Sequence, residues 1–213
     1  RGHSCCLTYR LFAARIWVMG NTTLPGKLRT RAGMAVVLAV VALVSAALYL
    51  PSTRYGFVWD DTGLITKNSL LAGSRPADIF QRGFWAGSGE QVAGPHLPYY
   101  RPLVTLSFWL DLHVSHTNPH WFHLVNLLLY ALAAAAVTLV LWELLHSGVW
   151  ALLGGLFFAA HSSHVESVAF ISGRTDIMLT LFIGIATFAL LRSFRKHNRW
   201  WWLVVACAFG FAL

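Results

Sequence analysis

The stretch AGMAVVLAVVALVSAALYL, residues 32–50, decides how this chain is read. It contains no charged residue and is followed by Pro51, whose ring clash and missing N–H end a helix. A membrane span needs roughly 20 apolar residues at about 1.5 Å each. Residues 32–50 therefore read as one transmembrane helix. The run is too long for the apolar core of a signal peptide and lacks a small-residue cleavage pattern, so it reads as retained.

Working outward, four more apolar runs follow. Trp121–Leu145 is a second span, with Asn118 suited to cap it and Pro119 to its first helical position. Glu143, near its far end, is its only charge. A third span is placed at about 149–171, a fourth at about 176–192, and a fifth at 200–213. Composition agrees: 57% of the 213 residues are hydrophobic, 14% aromatic and only 11% charged, against about 25% charged in soluble domains. The expected fold class is an all-α, polytopic transmembrane helical bundle. Cys5, Cys6 and Cys207 form no CxxC or zinc-type spacing and leave the redox compartment unread.

The net charge of +8 points to topology rather than nucleic acid, because much of it flanks the apolar runs. Lys27, Arg29 and Arg31 precede the first span, and Arg192, Arg195, Lys196 and Arg199 follow the fourth. Both clusters fall on the cytoplasmic side if the first helix runs in to out. Residues 51–118 and 161–175 then lie outside. Residues 1–31 form a cytoplasmic basic segment, whose first eighteen residues precede Met19, a plausible start, and carry no assignable fold. Residues 32–213 form the front of a membrane domain that is expected to continue past Leu213. In the outer loop 51–118, Pro102 can start a short interfacial helix with Leu103, Leu106 and Leu110 on one face.

The groups able to carry chemistry gather on that outer side. Asp60 and Asp61 follow Phe57-Val58-Trp59, aromatics that would anchor them near lipid headgroups. Adjacent carboxylates repel, so one stays protonated or both recruit a cation or a substrate hydroxyl. That suits a general base or a metal-ligand pair; the plain alternative is a solvated turn. A divalent metal ion is thus an option, and no cofactor motif is present. The third apolar run meets His161-Ser162-Ser163-His164-Val165-Glu166 after Ala160. Either the helix continues and carries these polar groups within the membrane, or it ends at His161 and they form a wet loop. Arg174 could hold a phosphate with its planar fork of donors, or pair locally with Asp176. Arg101, beside Tyr99 and Tyr100, has the same two phosphate and local readings. His123 and Asn126 share a face at the start of the second span. Three HxxH pairs occur, a spacing that is weak evidence for metal without an HExxH or cysteine set.

In order, the chain carries Phe57-Val58-Trp59-Asp60-Asp61, Tyr99-Tyr100-Arg101-Pro102-Leu103, Ser107-Phe108-Trp109-Leu110-Asp111 and Pro119-His120-Trp121-Phe122-His123-Leu124-Val125-Asn126. Leu156-Phe157-Phe158-Ala159-Ala160-His161-Ser162-Ser163-His164-Val165-Glu166-Ser167-Val168 follows, running to Gly173-Arg174-Thr175-Asp176. From about residue 33 to 213 this resembles the transmembrane and tetratricopeptide-repeat-containing O-mannosyltransferases and their bacterial relatives, which are glycosyltransferases of the GT-C fold. The resemblance implies a catalytic acid at Asp60-Asp61. It also implies an inverting transfer of a sugar, mannose by analogy, from a polyprenyl- or dolichyl-phosphate donor to Ser or Thr hydroxyls of a protein acceptor. Arg101 or Arg174 would stabilise the leaving phosphate. Tyr100, His123, Asn126, His164 and Glu166 complete the expected donor site. One departure is Ser162, where that family usually has Pro after the first His. The resemblance further implies a C-terminal tetratricopeptide array and a multi-pass protein of a bacterial inner membrane or the endoplasmic reticulum, with a cytoplasmic N-terminus. The competing readings are an ion-coupled transporter or channel, with the broken third helix lining the path, and a non-catalytic membrane anchor.

Overall fold

The computed structural model describes residues 30–73, 75–88, 99–196 and 198–212. Lys27, Arg29, Met19, Cys5, Cys6 and His96 lie outside the described residues. Helix α1 (Arg31–Tyr49) begins where Thr30 Oγ1 accepts from Gly33 N at 3.0 Å, and passes into a 3-10 turn at Leu50–Arg54 that contains Pro51. A single π turn at Thr62–Thr66 and the short helices α2 (Ser69–Gly73) and α3 (Pro76–Ile79) follow. Helix α4 spans Pro102–Ser115, and α5 spans Pro119–Leu145 with Asn118 Oδ1 accepting from His120 N. Next come α6 (Gly148–Ala160), α7 (His164–Ala169), α8 (Arg174–Lys196) and α9 (Trp200–Ala212). The fold is an all-α polytopic bundle, in which α1, α5 and α8 are each long and apolar enough to cross a membrane.

Helix α5 is central and packs against α1, α6 and α8, while α9 packs on the far side of α8. Small residues make these contacts close. Helix α1 turns Gly33, Val37, Val41, Ser45 and Tyr49 inward, every fourth residue along one face. Ala133, Ala134 and Ala136 are buried in α5. A Cβ at Gly184 of α8 would sit 3.0 Å from that of Ala136, and one at Gly155 of α6 would fall on Thr138. Without a hydrophobic drive between helices in lipid, such close approach is how spans associate.

The third apolar run does not form one helix over 149–171. Helix α6 stops at Ala160, His161 turns extended at φ −69° and ψ 129°, and a separate one-and-a-half-turn helix α7 follows. The cause is local competition for hydrogen bonds. His161 Nδ1 meets Ser163 Oγ at 2.7 Å and accepts from Ser163 N, an alternative to the helical ladder. The carbonyls orphaned where α6 ends are met from neighbouring helices. Tyr130 Oη donates to Phe158 O and Ala159 O at 3.3 and 3.0 Å, and Tyr49 Oη to His161 O.

Helix α4 also differs from expectation. Its inward face is Val104, Thr105, Phe108 and Asp111, while Leu110 is exposed. The Leu103–Leu106–Leu110 face yields because Ser107, Phe108 and Asp111 bind Arg174, described below. At the other end of the bundle, Glu143 is buried between Arg192, at 2.7 Å, and Arg195, at 3.0 Å. Arg195 also donates to the Glu143 carbonyl and meets His146.

Candidate functional site

The turn Phe170–Gly173, between α7 and α8, is the seat of the site. Gly173 is required there, because a Cβ would stand 2.5 Å from Ser167 O and 2.7 Å from Ser167 Cα. The Asn126 amide of α5 donates to Phe170 O at 2.9 Å and to Ile171 O at 3.3 Å. Ser172 N donates to Asp61 Oδ1 at 2.9 Å, and Val58 N to Asp61 Oδ2 at 3.2 Å. Asp61 is fully buried, and burial pushes its carboxyl above the usual carboxylate range despite these two backbone bonds. It fastens the first loop onto the α7–α8 turn.

Arg174 lies directly beneath and is fully buried. Its guanidinium donates to Asn126 Oδ1 at 2.6 Å, Asp111 Oδ2 at 2.5 Å, Ser107 Oγ at 3.1 Å and Phe122 O at 3.0 Å. The rings of Phe108 and Phe122 lie 4.7 and 5.9 Å from Cζ, the cation–π complement to these bonds. Trp121 Nε1 occupies the other Asp111 oxygen at 3.1 Å. The ion-pair partner of Arg174 is therefore Asp111 of α4, not Asp176. Fully buried and with four of its five N–H groups bonded inside the bundle, Arg174 does not line the groove above it.

Above this plug opens a groove of about 550 Å³. Asp60, Arg101, Glu166 and Asp176 line it, with Trp59, Tyr99 and Phe170 as its aromatic walls. Ser163, Ser167, Ser172 and Thr175 add hydroxyls and backbone. Arg101 lies under Tyr99, its Cζ 5.5 Å from the ring centroid, and also lines a second cavity of about 290 Å³. Tyr100 lines that second cavity and donates to Phe80 O at 2.7 Å; Leu103, Met178 and Phe211 give the cavity apolar walls.

Of the residues singled out by sequence, the structure thus brings Asp60, Arg101 and Glu166 into one groove. Asp61, Arg174 and Asn126 stand behind it as support. His123 is fully buried beside the Gly56 backbone, and its ring lies 6.3 Å from that of Tyr55. His164 packs on Phe158 at 4.3 Å and borders a separate cavity of only about 40 Å³. Among the described residues no three His, Cys, Asp or Glu side chains are grouped as a metal ion would require. In each HxxH pair the first histidine has one ring nitrogen engaged within the protein: His113 with Trp109 O, His120 with Thr53 O and His161 with Ser163. Sequence reasoning gave no site role to Asp111, Trp59 or the Ser172–Gly173 backbone. Asp111 closes the segment Ser107-Phe108-Trp109-Leu110-Asp111, but nothing local marks a carboxylate as buried.

The bundle with this groove at one end is that of a multi-pass membrane protein. The chain is 36% identical over 170 residues to protein O-mannosyl-transferase TMTC2 of Mus musculus, covering 78% of this chain and 20% of that protein. It is 36% identical over 167 residues to Tmtc1 of Drosophila melanogaster, covering 77% and 19%, and 30% identical over 170 residues to human TMTC3, covering 79% and 18%. The chain belongs to the transmembrane and tetratricopeptide-repeat-containing (TMTC) O-mannosyltransferase family. It spans about a fifth of the length of the curated relatives it matches. No protein-family profile and no solved structure matches it.

Proposed function

We propose that this chain is the front part of an O-mannosyltransferase that moves mannose from a polyprenyl- or dolichyl-phosphate to Ser or Thr hydroxyls of proteins. The carrying observation is that Asp60 and Arg101 line one groove, a base and a cation facing the same space. The acceptor oxygen attacks the anomeric carbon as Asp60 takes its proton. The bond from that carbon to the phosphate oxygen breaks, its electron pair leaving with the phosphate, and the sugar inverts. Arg101 meets the charge that grows on the phosphate, where preorganised electrostatic stabilisation is most valuable. The apolar cavity behind Arg101 suits the first units of the donor's hydrocarbon chain.

Between the two carboxylates, burial favours Asp60 as the base. Asp61 is held by two backbone N–H groups beneath the surface, whereas Asp60 reaches the groove. The base is Asp60, and Asp61 positions it. The groove sits at the opposite end of α8 from Arg192 and Arg195, which by the positive-inside rule supports an extracytoplasmic site. The test is transfer from a labelled lipid-linked mannose to protein by the full-length enzyme in membranes. Asp60→Asn should lose roughly 100- to 10,000-fold in turnover. Wild-type turnover in Asp60→Asn would sink the assignment.

A further inference from the structure

Trp59 holds a backbone conformation that bulky residues avoid. Its φ is 48°, in the left-handed region where Gly or Asn is the usual occupant. The strain is maintained by its neighbours: Asp61 N donates to Val58 O at 3.0 Å and Thr62 N to Trp59 O at 3.1 Å. Asp61 then clamps the same loop from its side chain, binding Val58 N and Ser172 N. Strained backbone persists where surrounding structure over-determines it, and it clusters at ligand sites.

This strain does not serve to bury the ring. Trp59 is 83% exposed, and its ring meets Phe170 at 6.4 Å with planes 76° apart. Both aromatics line the groove, and Trp59 immediately precedes Asp60. A loop that needed only its turn would use glycine, and a loop that needed only bulk would bury it. Holding a large flat indole out beside the base gives the groove a platform. One face of a pyranose is lined with C–H groups that pack against the electron-rich face of an aromatic ring, while its hydroxyls point to the rim. Glu166 and Asp176 are the acceptors at that rim.

We propose that Trp59 is the sugar platform of this groove, a binding residue that seats the transferred hexose against its indole with the anomeric carbon turned toward Asp60. This rests on the glycosyltransferase reading above. It differs from the role of an interfacial aromatic, which would hold the loop in the headgroup layer and be indifferent to the sugar.

The experiment uses the full-length protein in membranes, with Trp59→Ala, Trp59→Phe, Trp59→Gly and Asp60→Asn compared side by side. Lipid-linked mannose is the substrate and sugar-free polyprenyl phosphate the competitive inhibitor. Trp59→Ala should lose roughly 10- to 100-fold in kcat/KM, since misplacing a reacting group by about 1 Å can cost that much. Trp59→Phe should recover most of it, and the inhibition constant of polyprenyl phosphate should stay within about twofold of wild type. Trp59→Gly relieves the backbone, so it should keep or raise the melting temperature while still losing transfer. Wild-type transfer in Trp59→Gly or Trp59→Ala overturns the proposal. So does a parallel fall of melting temperature and transfer, or an inhibition constant weakened as much as the donor KM, which would assign the ring to folding or to the lipid. An inactive Asp60→Asn beside an active Trp59→Ala sinks the platform alone. An active Asp60→Asn removes only the base assignment, whereas absence of transfer by the wild-type protein sinks the transferase reading and the platform with it.

Discussion

Arg174 and Asp111, 63 residues apart, form an ion pair at 2.5 Å with both side chains buried. The pair pins α4, a helix of the first loop, to the start of α8, and Asn126 of α5 completes the joint through its bond to Arg174. A buried pair is not strongly stabilising in itself, because desolvation offsets much of the attraction. Removing one partner is costly all the same, since the other charge is left buried alone. Arg174→Gln and Asp111→Ala should each lower stability by about 3–5 kcal/mol, read as the thermal midpoint of the full-length protein in detergent. Arg174→Lys should not rescue, because one ammonium cannot reproduce the planar fork that reaches Asp111, Asn126, Ser107 and the Phe122 carbonyl together. A midpoint for Arg174→Gln equal to wild type would contradict this.

Asp61 makes the folded protein respond to pH in a defined direction. Burial pushes its carboxyl above the usual carboxylate range, and that of Asp111 is raised by burial too, against the pull of Arg174. The folded state then holds protons that the unfolded state has already released, so stability falls as pH rises from about 4 through the folded-state values. The contribution of these acids is thus most favourable on the acid side of that window. The slope of melting temperature against pH should be negative there, and shallower in Asp61→Asn. An unchanged slope in Asp61→Asn would remove Asp61 as the source.

Arg101 stands where the polar groove and the apolar cavity meet. If it stabilises the leaving phosphate, Arg101→Ala should lose on the order of 100- to 1,000-fold in kcat, the usual cost of one electrostatic donor. Arg101→Lys should keep part of the rate, because it supplies the charge without the fork. Steady-state kinetics with the labelled donor would distinguish this from a structural role, which would move kcat and melting temperature together.

Gly173 carries a purely steric prediction. In Gly173→Ala the new methyl meets backbone atoms of Ser167, which cannot rotate away as a side chain would. The turn must shift, at a cost of roughly 1–3 kcal/mol, and Ser172 N moves off Asp61. Both melting temperature and transfer should fall, and truncating the Ser167 side chain should restore neither. Recovery in Gly173→Ala/Ser167→Gly would show that the clash lies with the side chain instead.

The helices and the membrane class were legible in the residues themselves. Apolar length marks α1 and α5, Asn118-Pro119 marks the start of α5, and Pro102 marks the start of α4. The end of α6 was legible only as one of two options, because the choice turns on whether His161 and Ser163 bond to each other or to the helix. The face of α4 was misread for a related reason: apolar spacing favours the leucines, but Arg174 pulls in Phe108 and Asp111.

By itself, then, the sequence determined what is local or additive: the apolar spans, their caps and breaks, the family, and the small set of polar groups available for chemistry. Only the tertiary structure decided which of those groups face the groove. Asp60 and Asp61 are adjacent and chemically identical, yet one lines the groove and the other is sealed beneath it by Ser172. Arg101 and Arg174 look equally suited to a phosphate, yet one borders open space and the other is spent on four internal acceptors. Charge type is written in the residue, but solvent exposure depends on partners dozens of positions away.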